Sequence, residues 1–151
     1  MNEKTKKKGL LSSLPGTFWV ANIMELFERG AYYGLNAVLA IYLVEELGFR
    51  NQAVGFLQGF VYALTYIVPI IGGALADRLG YRKMLLVAFS LLTMGYFVAG
   101  NVTSYGLIFL FLLVMATGSG LFKPIITGTI ARITTKETSG FGFGVYYWCI
   151  N

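Results

Sequence analysis

Four apolar runs long enough to cross a lipid bilayer restrict this sequence to a helical membrane fold. They cover residues 18–44, 53–76, 84–100 and 105–130, and a fifth opens near residue 140. A hydrocarbon core about 30 Å thick takes roughly 20 helical residues, and no water is present there to satisfy an open backbone. The first run has 27 residues and would extend roughly 40 Å, so tilting or bending is expected. Composition agrees: 13% of residues are charged and 56% hydrophobic, against about 25% charge in a soluble domain. The expected class is all-α, a polytopic bundle over residues 17–151 behind a basic tail at 1–16. By residue 151 the fifth run has covered roughly half of a crossing, so the chain reads as a truncated reading frame or partial chain.

The start, MNEKTKKKGLLSS, is basic and then small and polar, like the beginning of a signal peptide. The apolar run behind it is too long, carries charges and lacks an A-x-A site, so it reads as an uncleaved first helix. The net charge of +5 does not imply a nucleic-acid partner, because the basic residues lie at the ends of apolar runs. Lys4, Lys6, Lys7 and Lys8 precede the first run; Arg78, Arg82 and Lys83 follow the second; Arg132 and Lys136 follow the fourth. The two opposite loops hold only Arg50. This asymmetry places the amino terminus in the cytoplasm of a multi-pass protein of the cell membrane. A single cysteine, Cys149, rules out an internal disulfide, and the absence of histidine argues against a zinc site. Asn101-Val102-Thr103 matches a glycosylation tripeptide, but such matches are common and it is assigned no role.

Glu25, Glu28 and Arg29 stand well inside the first apolar run. Each charge costs about 2.5–3.5 kcal/mol near the centre of a membrane helix, so three together point to function. At 100° per residue they share an arc with Asn22, Tyr32, Tyr33 and Asn36. Gly30, Gly34 and Ala37 lie on another face, with the small-xxx-small spacing expected of helix packing. Burial favours a neutral carboxyl and a neighbouring Arg favours a charged one, so a site balanced between them is able to take up and release a proton. The alternative is a structural ion pair that ties helices together. Two acids to one base leave an acid to titrate.

After the second run, Gly72-Gly73-Ala74-Leu75-Ala76-Asp77-Arg78-Leu79-Gly80-Tyr81-Arg82-Lys83 fits G-x-x-x-D-R-x-G-x-R-K. Its glycines allow a tight backbone, and Asp77 is placed to pair with nearby arginines or a helix amino terminus. In the second run Gln58, Tyr62, Thr65 and Tyr66 form a polar stripe, and Pro69 is expected to bend the helix. In the fourth, Gly118-Ser119-Gly120-Leu121-Phe122-Lys123-Pro124 interrupts the apolar pattern. Lys123 precedes Arg132 by nine residues, about 13 Å of helix, so it is expected to be buried beside a proline kink. Snorkelling to the surface is the alternative.

The segment from Gly72 to Lys83 resembles the cytoplasmic signature loop of the major facilitator superfamily, where Gly73, Asp77, Arg78, Gly80, Arg82 and Lys83 would gate alternating access. Glu25-Leu26-Phe27-Glu28-Arg29-Gly30-Ala31-Tyr32-Tyr33 resembles the E-x-x-E-R-F-x-Y-Y motif of the proton-coupled oligopeptide transporters of that superfamily. The fourth-run segment resembles their G-x-G-L-x-K-P, and residues 143–151 resemble the opening of their fifth helix, ending in Tyr-x-x-x-Asn. The resemblance extends from Phe18 to the end of the chain. It implies the amino-terminal bundle of such a transporter, with proton coupling by Glu25, Glu28, Arg29 and Lys123. Arg29, Tyr32, Tyr33, Asn36, Tyr66, Tyr147 and Asn151 would bind substrate. Lys123 would pair with the first-helix glutamates or with an acid of the carboxy-terminal half. Gly30 stands where the family carries Phe, and Asn36 where many members carry a second basic residue.

The expected function is symport of di- and tripeptides with protons, driven by the proton gradient without a cofactor. The expected partners are peptide, protons, the lipid bilayer and the carboxy-terminal half of the same transporter. A facilitator for another small solute and a non-transporting peptide sensor on the same scaffold are the alternatives. No nucleophile–base or metal constellation supports an enzyme.

Overall fold

A computed structural model describes Gly9 and residues 12–150. From Gly16 onward, among the described residues, the α-helices run in the order α1 (Gly16–Ile41), α2 (Asn51–Leu79), α3 (Tyr81–Ala99), α4 (Tyr105–Ile133) and α5 (Ser139–Ile150). A π-helical turn, Tyr42–Glu46, extends α1. Helices α2, α3 and α4 are each long and apolar enough to cross a membrane. Helix α1 matches them in length, but its span carries Glu25, Glu28 and Arg29. The basic tail lysines and Asn151 lie outside the described residues.

The chain packs as two compact units, one of residues 1–31 with 126–151 and one of residues 32–125. In the second unit a core forms around Leu43, Leu57, Val61, Leu92, Leu112 and Met115. Close helix crossings depend on glycines of α3 and α4. A Cβ on Gly95 would come within 2.6 Å of Met115, one on Gly118 within 2.9 Å of the Ala88 carbonyl, and one on Gly120 within 2.7 Å of Val68. Reciprocally, a Cβ on Gly72 would meet Leu121 at 3.1 Å and Pro124 at 3.3 Å. The Gly118–Pro124 segment is thus the place where α4 meets α2 and α3, and α4 runs unbroken through it.

Three sequence expectations are corrected here. The signature segment is not an open loop. Helix α2 runs to Leu79 and α3 starts at Tyr81, so Gly80 alone turns the chain, at φ +92°. Its N–H donates to the Ala76 carbonyl at 3.0 Å and its carbonyl accepts from Met84 at 3.1 Å, which closes both helix ends around one residue. An L side chain is strained at such a φ, so the glycine is what makes so short a joint feasible. Within it Asp77 accepts a hydrogen bond from the Tyr81 hydroxyl at 3.0 Å, one turn on.

The second correction concerns the small-residue face of α1. Gly30, Gly34 and Ala37 are exposed, and nothing lies within 4 Å of a Cβ built on either glycine. The polar face took the buried position instead, which is the costlier arrangement for charges unless they are paired. Third, the Lys123 side chain is exposed. Ser119, Ile126 and Ile130, on the same side of α4, are buried, so the lysine stem leaves a covered stretch of the helix.

Candidate functional site

The cluster of α1 lies in the unit formed by residues 1–31 and 126–151. Glu25 is 0% exposed, Glu28 5% and Arg29 7%. This enclosure comes from the described chain itself. Residues 25, 28 and 29 fall on one side of the helix, and the long Arg29 side chain folds back so that Nε donates to Glu28 Oε2. The same nitrogen lies 3.6 Å from Glu25 Oε1, one helical turn away. One guanidinium therefore serves two carboxylates. Pairing of this kind offsets the desolvation that a lone buried charge would suffer.

Around the cluster, α5 packs against the start of α1 and the end of α4. A Cβ on Gly142 would come within 2.8 Å of the Thr134 methyl group and 3.4 Å of the Phe18 ring. This close approach seats Tyr146, one turn further on and 2% exposed. Its hydroxyl shares a hydrogen bond of 3.1 Å with Thr127 Oγ1 and lies within electrostatic range of Glu25 and Arg29. The sequence motif points to Tyr147, which is 57% exposed, and not to Tyr146 or Thr127. The spacing of four between Gly142 and Tyr146, on the covered side of α5, was the signal that could have found it.

In the second unit, Tyr32 is buried and packs edge-on against exposed Tyr33, with ring centres 5.7 Å apart. Asn36 is engaged at both ends of its amide. Its Nδ2 donates to the Tyr32 carbonyl at 2.8 Å, and its Oδ1 accepts from the Tyr62 hydroxyl at 3.3 Å. Asn36 thus ties α1 to α2, and the stripe residue Tyr62 is its partner. Tyr66, from the same stripe, is 72% exposed. The structure brings together Glu25, Glu28 and Arg29, Tyr32 and Tyr33, and Asn36 and Tyr62. Asn151 lies outside the described residues.

The Major Facilitator Superfamily profile matches residues 21–151. Dipeptide and tripeptide permease B of Salmonella typhimurium (strain LT2) is 37% identical over 97% of this chain, which spans 31% of that permease. The permease B of Aliivibrio fischeri (strain MJ11) is 34% identical over 91% of the chain and 28% of its own length. Among solved structures, tetrameric PepTSo2 superposes with a TM-score of 0.82 at 29% identity, covering 89% of this chain and 29% of that one. A mutant peptide transporter POT in complex with sulfate gives a TM-score of 0.83 at 24% identity, covering 95% and 32% respectively, and shows the shared fold. The chain thus spans about a third or less of the length of these relatives, which are transporters and not enzymes. This chain belongs to the Major Facilitator Superfamily, and within it resembles the oligopeptide transporters.

Proposed function

We propose that this chain supplies the proton-coupling part of a symporter that carries di- and tripeptides across the cytoplasmic membrane by alternating access. The observation that carries the reading is the enclosed Glu25–Arg29–Glu28 cluster, two carboxylates on one guanidinium. Such a site has a surplus acid whose charge the protein tolerates only while Arg29 stays close. A shift of the helix that weakens the pair favours uptake of a proton, and its restoration favours release. The proton gradient then drives transport, and no cofactor enters the cycle. In this reading the amino terminus is cytoplasmic, and the Gly80 joint lies on the same side.

Peptide is held by its charged termini, with Arg29 near the carboxylate and Tyr32, Tyr33, Tyr66, Tyr147 and Asn151 along the site. Lys123 supplies a positive charge for the first-helix glutamates or for an acid of the carboxy-terminal half. Gly73, Asp77, Arg78, Gly80, Arg82 and Lys83 form the cytoplasmic gate. Uptake of labelled dipeptide into proteoliposomes holding the complete transporter, with and without an inward proton gradient, tests this. Accumulation that requires the gradient supports it. Gradient-independent uptake, uptake of other solutes alone, or peptide binding with no uptake would overturn it.

A further inference from the structure

Asn22 lies one turn before Glu25 on the covered face of α1 and is 3% exposed. Its Nδ2 donates to the Phe18 carbonyl at 2.8 Å, which fixes the amide and commits its donor end. The remaining atom, Oδ1, is buried and has no hydrogen-bond partner among the described residues. An acceptor left in that state costs roughly as much as a lost hydrogen bond, so its position calls for a donor. Residues three apart on a helix are neighbours, so Asn22 and the buried Glu25 share the covered face of α1 within side-chain reach. A charged carboxylate has no hydrogen to offer, whereas a protonated one does.

We propose that Asn22 is a positioning residue for proton coupling, its Oδ1 accepting a hydrogen bond from Glu25 when that carboxyl is protonated. The inference rests on the proton-coupled reading above. The step is a simple one. A proton from water adds to a Glu25 oxygen, the new O–H donates to Asn22 Oδ1, and the same O–H bond breaks when the proton leaves. The groups in range of Glu25 include Arg29 on its own helix and Tyr146 and Cys149 on α5. Arg29 favours the charged carboxylate, and the Tyr146 hydroxyl is engaged with Thr127. An acceptor at Asn22 Oδ1 adds to the neutral form of the carboxyl.

The test is the pH profile of gradient-driven dipeptide uptake by the complete transporter. Asn22→Leu keeps the volume but removes the acceptor, and half-maximal uptake is expected to move down by about half to one pH unit, a threefold to tenfold loss of proton affinity. Asn22→Gln, which keeps an amide oxygen, is expected to restore part of that shift, and Asn22→Asp to move the midpoint upward. An Asn22→Leu midpoint equal to wild type, with dipeptide affinity and thermal stability unchanged, would overturn the proposal. Should Asn22→Leu fail to fold, Asn22→Ala, which also lacks an acceptor, serves instead, and an unshifted midpoint there is equally contrary. If wild-type uptake does not depend on the gradient, the underlying reading fails as well. If Glu25→Gln abolishes gradient-driven uptake while Asn22→Leu leaves its midpoint in place, the present inference alone fails.

Discussion

Arg29 and Glu28 are adjacent in sequence and yet are hydrogen-bonded to each other inside a helix. Successive side chains leave a helix about 100° apart and do not ordinarily face one another. The bond forms because the guanidinium turns back over the buried side of α1, where it also approaches Glu25. The arrangement binds both acids to one base at a depth where neither would be stable alone.

Removing that base should therefore cost more than a surface charge. Arg29→Ala leaves two buried carboxylates without their cation and is expected to destabilise by about 3–5 kcal/mol, as breaking a buried pair does. Arg29→Lys keeps the charge but loses the planar fork, and should lie between. Thermal melting of the purified protein in one detergent at fixed pH measures both.

Glycines that look alike in the sequence should behave differently. Gly120→Ala puts a Cβ within 2.7 Å of Val68 and Gly118→Ala puts one within 2.9 Å of the α3 backbone. Each is expected to cost about 1–3 kcal/mol through overpacking. Gly30→Ala meets nothing within 4 Å and removes a weak helix former, so it should be neutral or stabilising by up to about 1 kcal/mol. The same melting assay separates the two sets.

This contrast marks what the sequence could reveal. Apolar run lengths located α1 to α5, and their charges located the cluster, because lipid penalises both open backbone and unpaired charge. Which face of α1 is covered was not legible. The polar arc from Asn22 to Asn36 and the small face at Gly30 and Gly34 are both plausible packing surfaces until the neighbouring helices are in place. Gly80 and Tyr146 were hidden for related reasons. One depends on a backbone angle, the other on how deeply α5 seats at Gly142.

The single-residue joint between α2 and α3 predicts strain on substitution. Gly80→Ala forces a Cβ into φ +92° and is expected to cost about 1–2 kcal/mol. Tyr81→Phe removes an exposed hydrogen bond to Asp77 and should change stability by less than about 1 kcal/mol. Comparison of the two melting curves checks whether the joint depends on its backbone or on its side chains.

Neighbouring tyrosines of α5 should divide between structure and binding. Tyr146→Phe removes the shared hydrogen bond with Thr127 at a buried site and is expected to lower stability by about 0.5–1.5 kcal/mol. Tyr147→Phe, at an exposed position, should leave stability unchanged and raise the KM for dipeptide. Melting and uptake kinetics on the two variants give the comparison.

In the proposed cycle the Glu25–Arg29–Glu28 cluster couples proton movement to transport. Its most direct test is Glu25→Gln in proteoliposomes holding the complete transporter, assayed for gradient-driven accumulation and for exchange of dipeptide at equal pH on both sides. A carboxamide fills the same space but neither gains nor loses a proton at this site. Accumulation is expected to be lost while exchange persists. Full gradient-driven accumulation by Glu25→Gln would contradict it.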